Sequence, residues 1–420
     1  MFHAAIMLAN QYNIRIHNES ITSNVIQVNN DENGHASLNL LCQYITTQRP
    51  NIVGIVGPDS STTARFISPF ASHVNLPLVS YAATNIDLAD RQLYPTFYRT
   101  VPSDLLLARA IIHLFKQFKW KTCTMIFEKS DYGYGGLRIL SENYHNNITI
   151  KAQLLFDGDK FHADLKQTLE TSRSRIVLLW ADEQQTTNII KRAFEERLIS
   201  TRYIAFGVFP PDMLKSNEFK KNLEGLLAII PFGGDSGSSD HQSLNYNQTL
   251  LNAALATSQN SQNEHGIECH LGNESNISSF AMFTFDATWT LIQALYKTSL
   301  DGKSSPSPWF LSSSYCFNSS LENATKYHEY LKATQFLGIS GPIEFSKNVS
   351  NDRVGGAYYV LENLQYKNKE QLRFVQVMKW HDEVKVENEN WQSIIQQQII
   401  WPNGSEEIPK DYPQIQGIIF

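Results

Sequence analysis

The 420-residue sequence has no apolar run approaching the roughly 18 residues that a membrane-crossing helix needs. It has no run of about five basic residues, and its formal net charge is −6. A nucleic-acid partner, which requires a basic footprint, is therefore excluded, and so is a polybasic membrane patch. The opening MFHAAIMLAN lacks both a basic n-region and a long apolar stretch, so it is not a signal peptide. Taken literally, these absences describe a soluble cytosolic chain, although other features point elsewhere. Charged residues make up only 18% and hydrophobic residues 42%, which excludes a disordered chain. The length exceeds one ordinary core and suits two lobes of domain size.

Cysteine is scarce. Of the four, Cys42 falls in a helix-like run and Cys123 in a strand-like run, and both read as buried free thiols acting as small apolar groups. Cys269 and Cys316 lie in loop-rich sequence, where a disulfide between them is expected; it would place the chain in an oxidising compartment. Nine N-x-S/T sequons occur, at Asn18, Asn147, Asn247, Asn273, Asn276, Asn318, Asn323, Asn348 and Asn403, against roughly five supplied by chance. Several lie in polar stretches where a glycan has room.

What is abundant is alternation. Short β-branched runs at 51–56, 77–81, 121–127, 148–155, 175–179 and 202–206 predict strands. Amphipathic stretches separate them, the clearest being the stripe Leu107, Ala110, Ile111, Leu114, Phe115 and Phe118. Repeated β–α alternation predicts an α/β fold, a mostly parallel sheet flanked by helices. After Phe232 the pattern loosens: 233–240 and 258–279 read as polar loops, 285–297 as a helix, 298–320 as a loop, and 342–345, 357–361 and 373–379 as late strands. A return of strands is expected of a chain that crosses more than once between two lobes.

Chemistry concentrates between Ile52 and Asp104. The strand IVGIVG runs into Gly57-Pro58-Asp59-Ser60-Ser61-Thr62-Thr63, a turn and a hydroxyl-rich helix start. Free N–H groups there suit a ligand carboxylate, and the same residues suit plain helix capping. The next strand, LPLVSYAATN, ends in Tyr81, Ala82, Ala83 and Thr84, at the edge where open α/β sheets bind ligands. An ordinary turn is the alternative. Asp104 opens a helix, where a carboxylate suits the macrodipole as well as it suits a ligand ammonium. In Asp131-Tyr132-Gly133-Tyr134-Gly135-Gly136 the glycines permit close backbone approach and Tyr132 is placed to cover a ligand. Arg138 breaks the dinucleotide pattern G-x-G-x-x-G.

Two enzyme-like signals are set aside. Gly234-Asp235-Ser236-Gly237 resembles a serine-protease nucleophile segment, but β–α alternation is wrong for that all-β scaffold. His265, Cys269 and His270 cluster, yet zinc needs four ligands and only Cys316 is an obvious addition. No cofactor is expected.

The stretch IVGPDSSTTARFISPFASHVNLPLVSYAATNIDLADRQLYPTFYRTVPSD, followed by FKW and SDYGYGG, resembles the ligand-binding region shared by metabotropic glutamate receptors, GABA-B receptors and receptor guanylate cyclases. The segments FDATWTLIQALYKTS, FLGISGPIEFS and IIWPNGSEEIPKDYP extend the likeness over most of the chain. The resemblance implies a non-enzymatic, two-lobed periplasmic-binding-protein type 1-like clamshell. Residues 1–100 with 233–338 would form one lobe, 101–232 with 339–385 the other, and 386–420 a segment leading to a membrane domain absent from this chain. It implies that Ser61 and Thr84 hold a ligand carboxylate, helped by backbone at Ser60 and Ala82, with Tyr81 alongside. Asp104 would hold an ammonium group and Tyr132 would contact the ligand from the second lobe. It also implies an extracellular location, a dimer through the first lobe and coupling to a G protein.

Departures leave the ligand open. Where glutamate receptors carry an acid after the sixth strand, this chain has Gly207, Val208 and Phe209; where GABA-B receptors carry one before the helix near Phe285, it has Phe280-Ala281-Met282-Phe283. The module of this family starts with a strand, whereas this chain starts at the following helix, so it is expected to be a piece of a longer protein. The ectodomain of a receptor guanylate cyclase and a secreted solute-binding protein are the alternatives.

Overall fold

A computed structural model of the protein describes residues 1–16, 18–27, 34–48, 52–198, 204–207, 223–232, 246–265, 277–301, 316, 321, 324–346, 350–354, 358–367, 371–381, 391–394 and 397–412. The chain begins with α1 (Phe2–Gln11), β1 (Arg15–Ile16), β2 (Glu19–Ser20), α2 (His35–Gln48), β3 (Ile55–Val56), α3 (Ser61–His73), β4 (Leu78–Ser80) and β5 (Phe97–Arg99). There follow α4 (Asp104–Phe118), β6 (Thr122–Glu128), α5 (Asp131–Arg138), β7 (Thr149–Asp157), β8 (Lys160–Phe161), α6 (Leu165–Ser172), β9 (Ile176–Trp180), α7 (Glu183–Glu195), β10 (Ile204–Gly207) and β11 (Leu227–Phe232). The remainder supplies α8 (Gln248–His265), α9 (Ser279–Leu300), α10 (Ala324–Lys332), β12 (Gln335–Gly338), β13 (Gly341–Glu344), β14 (Tyr358–Lys367), β15 (Gln371–His381) and β16 (Gln392–Ser393).

These elements form two compact units: residues 1–103 with 232–357, and residues 104–231 with 358–420. In the first unit β3, β4 and β5 make a parallel sheet and β12 pairs antiparallel with β13. Helix α9 is apolar on nearly every face because it serves two cores at once. Ala287, Leu291, Ala294 and Leu295 pack beneath the sheet, while Phe285, Trp289 and Ile292 meet α1 and α8. Two sequence segments of the family resemblance are joined directly here. The Asp286 carboxylate of α9 accepts from the N–H groups of Ile339 and Ser340 at 2.9 and 2.8 Å, and a Cβ on Gly338 would lie 2.5 Å from it.

In the second unit the described strands form one sheet in the order β16-β15-β14-β11-β10-β9-β6-β7-β8. Pairs β6/β7, β6/β9, β9/β10 and β10/β11 are parallel, and β14/β15 is antiparallel. The buried strand Ile176–Trp180 has no polar position, as expected of a parallel strand covered on both faces. The late segment packs on this unit: Trp391 donates to the Ala110 carbonyl at 2.8 Å, and Trp401 meets the rings of Phe118 and Trp120 at centroid distances of 5.3 and 5.8 Å. Among the described residues no helix is long and apolar enough to cross a membrane.

Three expectations are corrected. Residues 339–357, expected with the second lobe, lie in the first unit, where β13 pairs with β12 and Arg353 donates to Thr100 and Ser340. The polar stretch from Ser258 continues as helix to His265. It contains neither glycine nor proline up to that point, and α8 is already anchored through Leu250, Leu251, Ala254 and Leu255, so propagation costs little. The expected Cys269–Cys316 bridge is replaced by Cys42–Cys316, with a Cα–Cα distance of 5.4 Å inside the range a disulfide spans. Cys42 is thus no free thiol: its helix packs on the core that buries Cys316, which brings together two residues 274 positions apart. Cys123 is free and buried as expected, and burial pushes its thiol up to about 12.

Cys269, His270, Asn273, Asn276, Asn318, Asn323, Asn348 and Gly234–Gly237 lie outside the described residues, as do the side chains of His265 and Asn403. Asn18 and Asn147 are exposed; Asn247 caps α8, its Oδ1 accepting from Leu250 N at 3.0 Å.

A non-reduced peptide map should link the Cys42 and Cys316 peptides, and a Cys269–Cys316 link would contradict the structure. Cys42→Ser should lower unfolding free energy by about 3–5 kcal/mol, because the bridge closes a very long loop; the shift in the urea midpoint measures it.

Candidate functional site

Strands β3 and β4 run parallel with Ile55 opposite Leu78 and Val56 opposite Val79, so both end at one edge. Gly57 leaves that edge at φ 112, a region that favours glycine, and a cis peptide bond precedes Pro58. Ser60 caps α3, its Oγ accepting from Thr63 N at 3.4 Å. Ser61, 5% exposed, accepts from Asn85 N at 3.1 Å and so ties the two strand-end turns together. A hydroxyl carries one proton and two lone pairs, so this bond leaves the Ser61 proton to give. Ser80 Oγ donates to the Pro58 carbonyl at 2.7 Å and accepts from Ala82 N and Ala83 N at 3.3 and 2.9 Å. The Ala82 N–H is therefore turned toward Ser80. Tyr81 and Thr84 are partly exposed; burial, and then the charge of Asp59, pushes the Tyr81 phenol above its ordinary value. The first unit thus brings Ser60, Ser61, Tyr81, Ala82 and Thr84 to one sheet edge, and the capping role left open for Ser60 is occupied.

In the second unit Asp104 opens α4 and is 1% exposed. Tyr132 sits in the first turn of α5, which Ser130 caps by accepting from Gly133 N at 3.1 Å. The glycines of this helix serve packing of protein on protein. A Cβ on Gly133 would fall 2.0 Å from the Glu128 carbonyl oxygen, and one on Gly136 would fall 2.1 Å from the Trp180 ring. Tyr132 lies against Trp180 with centroids 5.9 Å apart. Although partly exposed, Tyr132 is densely surrounded. Burial raises its phenol well above the usual range, and the charges of Asp104 and Glu128 add to the rise.

Glu128 was not singled out by the sequence reading. It closes β6, accepts a hydrogen bond from Ser130 Oγ, and accepts another from Asp182 N at 2.7 Å. Asp182 in turn caps α7, accepting from Gln185 N at 2.7 Å. One buried carboxyl therefore braces the N-termini of two helices beside Tyr132. Burial, then the Asp182 charge, pushes its pKa up to about 7, against the pull of its hydrogen bonds. The sequence signals were an acid ending the apolar run TCTMIFE and a tryptophan ending IVLLW, each at the carboxyl end of a parallel strand.

Of the positions at which the resemblance implied an acid, Gly207 ends β10, while Val208 and Phe209 lie outside the described residues. Phe283 is buried with the Arg353 guanidinium 5.8 Å from its ring centroid. Among the described residues no group of three or more His, Cys, Asp or Glu side chains is arranged to hold a metal ion.

Because the folded Glu128 has the raised pKa, the native state binds its proton more tightly than the unfolded chain. The stability this contributes is complete below about pH 4.5 and is lost as pH rises through about 7, up to ~3 kcal/mol. Glu128→Gln should flatten the fall in urea midpoint across that window; an unchanged fall refutes the assignment. Gly136→Ala should cost about 1–3 kcal/mol through the clash with Trp180, read as a lowered Tm.

Residues 5–364 match the model of the receptor family ligand binding region. Taste receptor type 1 member 3 of Rattus norvegicus is 37% identical over 108 residues, which is 26% of this chain and 12% of that protein. Metabotropic glutamate receptor-like protein E of Dictyostelium discoideum is 25% identical over 329 residues, covering 73% of this chain and 35% of that protein. Metabotropic glutamate receptor 4 of Mus musculus is 26% identical over 155 residues, covering 36% and 17%. The chain therefore spans well under half the length of these relatives. With the family match running over most of its length and onto both compact units, the chain belongs to the receptor family ligand-binding region and is a binding module, not an enzyme.

Proposed function

We propose that this chain is the extracellular ligand-binding part of a class C G-protein-coupled receptor and that it takes a small amino-acid-like ligand, of GABA or glutamate type. The observation that carries the reading is the convergence of Ser60, Ser61, Tyr81 and Thr84 on the carboxyl edge of β3 and β4, fastened by the Ser61–Asn85 bond. Open α/β sheets bind ligands at that edge. The ligand carboxylate would accept from the Ser61 and Thr84 hydroxyls. Tyr132 would cover the ligand from the second unit, and Asp104, beside it, would set the charge facing an ammonium group.

In this reading the ligand draws the two units together, and its differential affinity for the closed arrangement is what a dimer, through the first unit, passes to a membrane domain and a G protein. The dimer, the glycans at the sequons and the location at the cell surface belong to the same proposal. The names of the relatives, metabotropic glutamate receptors and taste receptors, support a small polar ligand.

A thermal-shift screen of amino acids should yield at least one ligand, with a stabilisation of about 2.7 kcal/mol at a hundredfold excess over Kd. Ser61→Ala combined with Thr84→Ala should weaken that ligand about tenfold or more, since each removes a donor to a charged group. Unchanged affinity in the double variant removes the carboxylate site.

A further inference from the structure

We propose that a basic cavity at the amino-terminal edge of the second unit's sheet binds a compact polyanion carrying phosphate or sulfate groups. The cavity has a volume of about 630 Å³ and is lined by four cations, Lys119, Lys121, Lys151 and Arg173, with one acid, Asp411. That volume falls in the range of small-molecule sites. It lies at the opposite end of β6 from Glu128 and Tyr132, about 20 Å of strand away, so it is separate from the edge assigned to the amino-acid-like ligand and does not depend on that reading.

Two of the cations have a local reason to be there. Lys119 follows the end of α4 and Arg173 caps α6, both with positive φ, and helix C-termini favour cations. Lys121 and Lys151 have no such reason. Lys121 immediately precedes β6, and Lys151 falls at a shift of register between β6 and β7, since Cys123 pairs with Ile150 and Thr124 with Ala152. Lys151 lines the same cavity as Lys121.

The Asp411 carboxylate offsets only one of the four positive charges. Its buried Oδ2 accepts from Lys121 N at 2.7 Å, Thr122 N at 2.8 Å and Thr122 Oγ1 at 3.1 Å, so it is bound by the strand start and fixes Lys121 in place. Among the described residues none of the four cations makes an ion pair. The Lys410 ammonium lies 5.6 Å from the ring centroid of Tyr412, another lining residue. Clustered like charges repel, and this cluster sits in a chain whose net charge is −6. Four converging cations exceed what a single carboxylate needs and match several phosphate or sulfate groups, which Lys meets as a point charge and Arg as a fork.

Isothermal titration of the 420-residue protein with tripolyphosphate, and separately with a heparin hexasaccharide, tests the site. At least one should bind in the micromolar range, with affinity falling as salt rises. Stronger tripolyphosphate binding assigns a free phosphate ligand, and stronger hexasaccharide binding assigns a sulfated glycan. The double variant Lys121→Gln, Lys151→Gln should bind about tenfold more weakly or worse. Both positions are exposed, so the fold should persist, checked by an unchanged Tm. Lys129→Gln, at the other end of β6, should bind as the parent does. Absence of binding by both probes at millimolar concentration overturns the proposal, as does equal affinity in the double variant or an equal loss in Lys129→Gln.

Discussion

Arg99 lies wholly buried at the end of β5, with Nε and Nη2 on the two oxygens of Asp352 at 2.7 and 2.9 Å and Nη1 on the carbonyls of Ala83 and Asn85. Arg353, the next residue after Asp352, donates to the carbonyls of Pro342, Thr100 and Ser340 and to Ser340 Oγ. Burying two guanidinium groups is costly, and it is tolerated only because nearly every donor has a partner in good geometry. The result is a stitch between residues 99–100 and 352–353, just before the chain leaves the first unit at 103 and at 357. The same stitch shapes the candidate site. Arg99 holds the carbonyls of Ala83 and Asn85, Asn85 N reaches Ser61, and Thr84 lies between them.

The strand candidates near 121–127, 148–155 and 175–179 and the stripe of α4 were legible because a parallel sheet with helices on both sides demands long apolar runs and a helical period, which composition preserves. What the sequence hid was decided by contacts far apart in the chain. Cys42 sits on an amphipathic helix and looks like any buried thiol until the fold brings Cys316 beside it. The polar residues after Ser258 read as a loop because a helix anchored elsewhere leaves no apolar stripe in its last turns. The glycines of α5 looked like a ligand approach, and their actual neighbours, Glu128 and Trp180, lie on two different strands. At the strand edge the sequence carried the hydroxyls but not their bonding, and it could not tell that Ser60 is spent as a cap while Ser61 reaches across to Asn85.

Strand β6 links two surroundings of opposite character. Its carboxyl end carries Glu128, held near neutrality by burial and an adjacent acid, under a tyrosine whose own proton is firmly held. Its amino end begins beside Asp411 among lysines. A run of buried apolar residues separates the two, so little solvent or charge connects them.

The order in which the chain supplies its parts has a consequence for biosynthesis. Arg99 and Cys42 emerge from the ribosome early, whereas Asp352 and Cys316 arrive hundreds of residues later, after the whole of β6 to β11 has been made. During that interval Arg99 lacks its Asp352 partner, and the Cys42 thiol shares the nascent chain with Cys123 and then Cys269. Assembly of the first unit is therefore necessarily a late event of translation. The first unit can close its disulfide and its buried ion pair only after residue 352 has been made, so its amino-terminal third waits on its last segment.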